Sequence, residues 1–314
     1  MRISIEDLRA FTMVVATGSF SAAANKLYIS PPALTRRIQK IEAVVGERLF
    51  ERTTHTVALT STGKALIERG KKTLWEFDEF HRYAESMAND SSVRIDFASV
   101  WSAATAIVPS LIREFTVLKP NAEFVVHDSD GLDVIRMVLE YEVDFGITSS
   151  MDFKGELDFH TLCSDPIVLA CPPQHALFDE EAVNWGQVAE CDPRTIDWGL
   201  FHLSAFGELE KQIVRARVPI PIPAETKIQH LSTQIGFLES GLRAAVVPAL
   251  GASLCLPGTI RMLPITDPPM DRELGIVTRV NGSTSKAVTE FIDFTMKHFT
   301  PMYDAKIRNA GISS

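Results

Sequence analysis

The sequence predicts an α/β chain headed by a small, mainly helical unit, and three observations carry that prediction. Residues 4–45 hold three helical patterns in succession, each opened by a serine suited to capping. From Thr60 to about Ala88 one long helical pattern follows. Beyond residue 92, short apolar runs alternate with amphipathic ones, as in a sheet covered by helices. Charge follows the same division. The chain of 314 residues has a formal net charge of −9, yet residues 1–60 carry 8 Lys plus Arg against 5 Asp plus Glu. A mildly basic head on an acidic body points to nucleic-acid contact confined to the head.

The head can be read element by element. In SIEDLRAFTMVVATG, Leu8, Phe11, Thr12 and Val15 fall at helical spacing. Ser4 and Asp7 stand three apart, as in a capping box, and Gly18 stops the helix. Ser19 caps a second short helix, FSAAANKL, whose alanines allow another helix close. Tyr28 and Ile29 make a tight connection, with Ile29 expected inside. Ser30 caps a third helix, and Pro31 and Pro32 suit its first turn, where N–H groups are dispensable. Leu34, Ile38, Ile41 and Val45 then form a stripe facing the other two helices.

The opposite face of the third helix carries Pro32, Ala33, Thr35, Arg36, Gln39 and Lys40, with Arg37 on the flank. Such groups suit a major groove, where Arg pairs with guanine O6 and N7 and Thr touches a thymine methyl. Two short helices and a tight turn ahead of it make a helix-turn-helix. A merely solvated amphipathic helix is the plainer alternative. In RLFERTTHTVALT, Phe50 and Arg52, then Val57 and Leu59, alternate about Thr54 and His55, predicting a hairpin wing. The candidate DNA contacts are therefore Pro31, Pro32, Ala33, Thr35, Arg36, Gln39 and Lys40, with Arg52 and His55 from the wing.

Along the long helix, Leu66, Gly70, Thr73, Phe77, Phe80, Ala84 and Met87 recur at alternating intervals of four and three. That is a coiled-coil seam, flanked by charges such as Lys71, Lys72 and Glu76, and it predicts a homodimer. A two-fold pair of reading helices selects half-sites about 10 bp apart. Packing on its own domain is the alternative.

In the body, VRIDFAS, EFVVHDS and DFGITS read as strands of a parallel sheet, and a second α/β set begins near IVLACPP. The four cysteines, Cys163, Cys171, Cys191 and Cys255, show no CxxC and no metal-ligand spacing with the histidines, and read as small buried hydrophobes. A peroxide switch using Cys163 with Cys171, or Cys191, is the alternative. No cofactor is expected. GxSxG, HExxH, Walker A and GxGxxG signatures are absent, which argues against an enzyme. No apolar run is long enough to span a bilayer, and Glu6 and Asp7 stand where a secretory signal needs an apolar core, so a cytoplasmic protein is expected.

The order SFSAAANKL, S-x-PAL-x-R, IE, G-x-x-LFERT and V-x-LT-x-x-GKAL resembles the N-terminal domain of LysR-type transcriptional regulators across nearly all of residues 4–66. DPIVLACPPQHALF and ESGLRAAVVP are similar to effector-domain segments of that family. Two departures stand out. Pro31 replaces the usual Gln, and Thr54-His55-Thr56 lacks the usual basic residues of the wing tip. The resemblance implies a winged helix-turn-helix over residues 1–60 and a dimerisation linker over 61–90. It further implies a periplasmic-binding-protein-like body, with lobe I at 91–165, completed by about 268–300, and lobe II at 166–267. A small-molecule effector would lie between the lobes, and dimers would assemble into tetramers that contact promoter DNA and RNA polymerase. Ligands bind at the carboxyl ends of parallel strands, which nominates Ser99, Trp101, Ser102, Ser129 and Thr148 from one lobe and His202 and Ser204 from the other. Hydroxyls beside helix N-termini suit a small anion or carboxylate.

Overall fold

A computed structural model describes residues 2–51, 57–88, 93–151, 153, 155–192, 194–197, 230–256, 258–280, 282 and 284–311. The chain forms two compact units, Met1–Asn89 and Asp90–Ser314.

In the first unit, α1 (Ile5–Thr17), α2 (Phe20–Lys26) and α3 (Pro31–Val45) precede the long α4 (Ser61–Ala88). Local chemistry sets each start. The Ser4 hydroxyl accepts from Asp7 N at 3.4 Å while Asp7 Oδ2 accepts from Ser4 N at 2.9 Å. Ser19 and Ser30 accept in the same way from Ala22 and Ala33. Gly18 (φ 61°) and Gly46 (φ 81°) take the left-handed conformation that ends α1 and α3. The core joins Phe11, Val14, Leu34, Ile38, Ile41, Leu49 and Phe50, with the Phe50 ring edge-on to Phe11 and Phe20 at 5.6 and 5.4 Å.

Two details differ from the periodicity. The buried face of α1 is Ala10, Phe11 and Val14, so the stripe is turned by about one residue from Leu8, Thr12 and Val15. Val45 is exposed, because it is the last residue before Gly46 turns the chain away.

Leu49 and Phe50 pair with the strand returning through Ala58 to Thr60: Glu51 N donates to Ala58 O at 2.9 Å and Thr60 N to Leu49 O at 3.0 Å. This is the base of the expected hairpin. Its tip, with Arg52 and His55, lies outside the described residues. Gly63 packs beneath it, where a Cβ would collide with the Leu49 carbonyl oxygen and stand 2.8 Å from Leu59 Cδ2.

The second unit alternates β1 (Val93–Val100), α5 (Trp101–Ala106), α6 (Val108–Leu118), β2 (Ala122–Ser129), α7 (Gly131–Leu139) and β3 (Phe145–Ser149). Then come β4 (Leu157–Cys171), β5 (Val183–Asn184), α8 (Trp185–Glu190), β6 (Ile196–Asp197), α9 (Leu231–Glu239), β7 (Ala244–Pro248) and α10 (Ala249–Ala252). The chain closes with β8 (Arg261–Thr266), β9 (Asp271–Arg279) and α11 (Lys286–Asn309).

Along the main path of the sheet the order is β2-β1-β3-β9-β4-β7-β6. The sheet is mixed rather than wholly parallel. β1 runs parallel to β2 and β3, but β9 is antiparallel to both β3 and β4, and β4 is antiparallel to β7 and β8. Its 15 residues carry β4 past β9 and on to β7 and β8. Alternation along β4 then splits the core: Ile167, Leu169 and Cys171 join Val183 and Trp185, while Val168 and Ala170 join the larger cluster around β1, β3 and β9. From α11, Phe291 packs on Phe97, Phe115 and Phe124 with ring centroids 5.6, 5.0 and 4.9 Å apart. Among the described residues, no helix is long and apolar enough to cross a membrane.

Candidate nucleic-acid interface and ligand pocket

The outward face of α3 presents Pro31, Pro32, Thr35, Arg36 and Gln39 to solvent, with Ala33 half-buried. Thr35 Oγ1 donates to Pro31 O at 3.0 Å. Arg36 makes no hydrogen bond or ion pair with any described residue. Lys40 is engaged within its own unit. Its ammonium lies 2.5 Å from Asp7 Oδ2, and Arg37 reaches Asp7 Oδ1 at 3.4 Å. Asp7 is only 1% exposed, and an ionised carboxylate at that depth needs a counter-ion. Burial pushes its carboxyl up, but hydrogen bonds from Lys40 and Ser4 outweigh burial and hold it below the usual carboxylate range. The pair therefore braces α3 against α1. Between Asp7 and Glu42 the chain contains no carboxylate.

The α4 seam divides. Leu66 is half-buried on the three-helix core, and Gly70 is buried with Leu8 nearby, so the first heptad serves its own unit. The buried face there is Ile67 and Leu74. Further along, Thr73 and Ala84 are exposed, Phe80 is 67% exposed, and Phe77 is half-buried with its ring 5.0 Å from His81. The Met87 side chain lies outside the described residues.

In the second unit a pocket opens where β1, β2, β3 and β7 end. Its described lining includes Val100, Trp101, Ser102, Ser129, Asp130, Ser149, Leu231, Gln234, Val247, Pro248 and Arg272. Of the nominated residues, Trp101, Ser102 and Ser129 line it. Ser99 and Thr148 do not. Both are fully buried, and strand alternation gives their positions to Val100 and Ser149, one residue on. His202 and Ser204 lie outside the described residues. The cavity measures about 30 Å³, more than the space one water requires.

Arg272, Gln234 and Ser149 escaped the sequence reading. Arg272 is the most consequential of them. Only 5% exposed, it donates through Nε and Nη2 to Asp165 Oδ2 at 2.9 and 2.7 Å, and through Nη2 to Ser102 Oγ at 2.7 Å. The Asp165 carboxylate, fully buried, also accepts from Tyr303 Oη at 3.0 Å and Leu250 N at 2.9 Å. One ionic node thus ties α5, β4, β9, α10 and α11 together beside the pocket. The Tyr303 phenol is pushed up by burial and by the Asp165 charge, so it stays protonated as a donor. Nη1 of Arg272 makes no hydrogen bond to a described residue.

Burial dominates the surroundings of the cysteines. Cys163, Cys171 and Cys255 are buried, and burial first of all pushes each thiol up to about 12. The thiolate, the reactive form, is scarce at neutral pH. Cys191, half-buried, is raised as well, by burial first and then by Glu190.

Comparison with known proteins places this architecture in context. A family model described as "Bacterial regulatory helix-turn-helix protein, lysR family" matches residues 5–64, and one described as "LysR substrate binding domain" matches residues 88–300. The uncharacterized HTH-type transcriptional regulator YbhD of Escherichia coli is 29% identical over 304 residues, covering 96% of this chain and 93% of that protein. Among solved structures, CbnR, a LysR family transcriptional regulator, superposes with a TM-score of 0.65 at 18% identity, covering 98% of this chain and all of that one. CbnR complexed with its target DNA gives 0.59 at 16% identity, covering 98% of each chain. A full-length OxyR variant from Pseudomonas aeruginosa gives 0.64 at 18% identity, with 99% of this chain and 96% of that one covered. At these identities the structural matches speak for the fold.

Proposed function

The chain belongs to the LysR family of bacterial transcriptional regulators, with a helix-turn-helix and an effector-binding domain; from that premise we propose that α3 reads promoter DNA and that a small carboxylate bound beside Arg272 controls it. The protein is a regulator and not an enzyme. The observation that carries the DNA reading is Arg36, unpaired among the described residues, on an exposed helix face drawn from a stretch without carboxylates. CbnR, which shares the fold, has been seen with its target DNA. Pro31, Pro32, Ala33, Thr35 and Gln39 complete the reading surface, and Arg52 and His55 of the wing extend it to the backbone.

Arg36→Ala should weaken binding to a duplex selected by the wild-type protein by about 5- to 150-fold, the equivalent of about 1–3 kcal/mol for a bidentate guanine contact. Binding to an unrelated duplex should change far less. Fluorescence anisotropy on both duplexes checks this, and unchanged selected-site affinity would remove Arg36 from base readout.

For the effector, Arg272 supplies a partly satisfied guanidinium and Ser102 a hydroxyl, a matched pair for one carboxylate. Such a ligand shifts the protein between two arrangements only through its different affinity for them. Thermal-shift screening with aliphatic and aromatic carboxylates, each beside its neutral amide, is the direct test. A ligand at 100 times its Kd stabilises by about 2.7 kcal/mol. Shifts produced by the amides and not by the acids would sink the carboxylate reading.

The exposed Phe80 and Tyr83 on α4 suit a second copy of that helix, bringing two α3 helices to one palindromic site. Pairing of such dimers into tetramers and contact with RNA polymerase complete the proposed assembly.

A further inference from the structure

Tyr28 occupies the turn between α2 and α3 with φ at 54°, a left-handed backbone that suits Gly or Asn and crowds the Cβ of other residues. Its ring is 96% exposed, more than any other large hydrophobic side chain described. Its hydroxyl makes no hydrogen bond to a described residue. The structural work of the turn falls to groups any residue has: Tyr28 N donates to Asn25 O at 3.2 Å and Ile29 N to Ala24 O at 3.0 Å. Ile29 carries the side chain that packs on the core. The Tyr28 side chain thus gives nothing back to the fold in exchange for a strained backbone and an exposed ring. A side chain so placed is free to act on something outside the fold.

Its position says what. Two residues later Ser30 caps α3, so the Tyr28 Cα lies within about 7.6 Å of the Ser30 Cα. In a helix-turn-helix the first turn of the reading helix enters the groove, and the segment just ahead meets the groove wall, where the phosphates are. A phenol there donates to a phosphate oxygen and lays its ring along the sugar. Lys26, also exposed, lies two residues back, and no carboxylate occurs from Leu8 to Ile41 to repel the backbone. We infer that Tyr28 is a DNA-backbone contact that seats α3 in its groove, an assignment resting on the DNA reading above.

The test uses the full-length protein, a duplex selected from a random library by the wild type, and an unrelated duplex of equal length at low salt. Tyr28→Phe should weaken both by the same factor, about three- to tenfold, as expected for losing one solvent-exposed hydrogen bond. Tyr28→Gly, which relieves the backbone, should melt no lower than wild type while losing at least as much affinity. Wild-type affinity in both variants would overturn the assignment. So would a loss confined to the selected duplex, which marks a base contact instead. If the wild type itself retains neither duplex, the DNA reading fails first and this assignment falls with it.

Discussion

Asp165→Ala should lower the unfolding free energy of the second unit by about 3–5 kcal/mol, the range for removing one partner of a buried ion pair. The carboxylate is fully buried and serves Arg272, Tyr303 and the Leu250 amide together. Truncation strands a guanidinium that is only 5% exposed, and water has little access to replace what was lost. Asp165→Asn keeps an acceptor for Tyr303 and Leu250 but not the charge, and should fall between. Arg272→Met combined with Asp165→Leu should recover much of the loss, because no charge is then left unpaired. Urea denaturation followed by tryptophan fluorescence would measure all three. A double variant no more stable than Asp165→Ala would show that shape, and not charge, is what the node supplies. Because Arg272 also holds Ser102, the double variant, which lacks that guanidinium, should lose whatever carboxylate response the wild type shows.

Asp7→Ala should cost the first unit about 2–4 kcal/mol, somewhat less because Lys40 and Arg37 are about a third exposed and can turn to water. It removes half of the α1 capping box and both braces between α1 and α3. The pH dependence has a definite sign. The folded-state carboxyl lies below its ordinary value, so its contribution is complete above about pH 4, the unfolded carboxylate range. It disappears as the pH falls through the folded-state value, and wild type and variant should converge in acid. At neutral pH the variant also frees Lys40 next to the outward face of α3. Binding to unrelated DNA should then tighten and grow more salt-dependent. Unchanged salt dependence would mean that Lys40 gains no phosphate contact when released.

Legibility varied with sequence distance. The starts and stops of α1, α2 and α3 depend on groups three or four residues apart, so the roles of Ser4, Ser19, Ser30 and Gly18 follow from their immediate neighbours in the chain. So do the outward set on α3 and the hairpin base around Phe50 and Leu59. The node at Asp165 does not, because its partner Arg272 lies 107 residues away and neither residue sits in a recognisable spacing. The pairing of Lys40 with Asp7 has the same origin: Asp7 is 33 residues back, and its depth exists only once three helices close over it.

Strand-end residues fell between these cases. Finding the ends of β1 and β3 was possible from composition, but an error of one residue exchanges the two faces of a strand, and Ser99 and Thr148 went to the core while Val100 and Ser149 reached the pocket. The sequence by itself determined the helical head, the outward face of α3 and the family, because those depend on short-range periodicity and ordered motifs. Only the tertiary structure decided which charges are spent internally and which remain for a partner. Ion pairing in a low-dielectric interior depends on depth and distance in space, and chain order encodes neither.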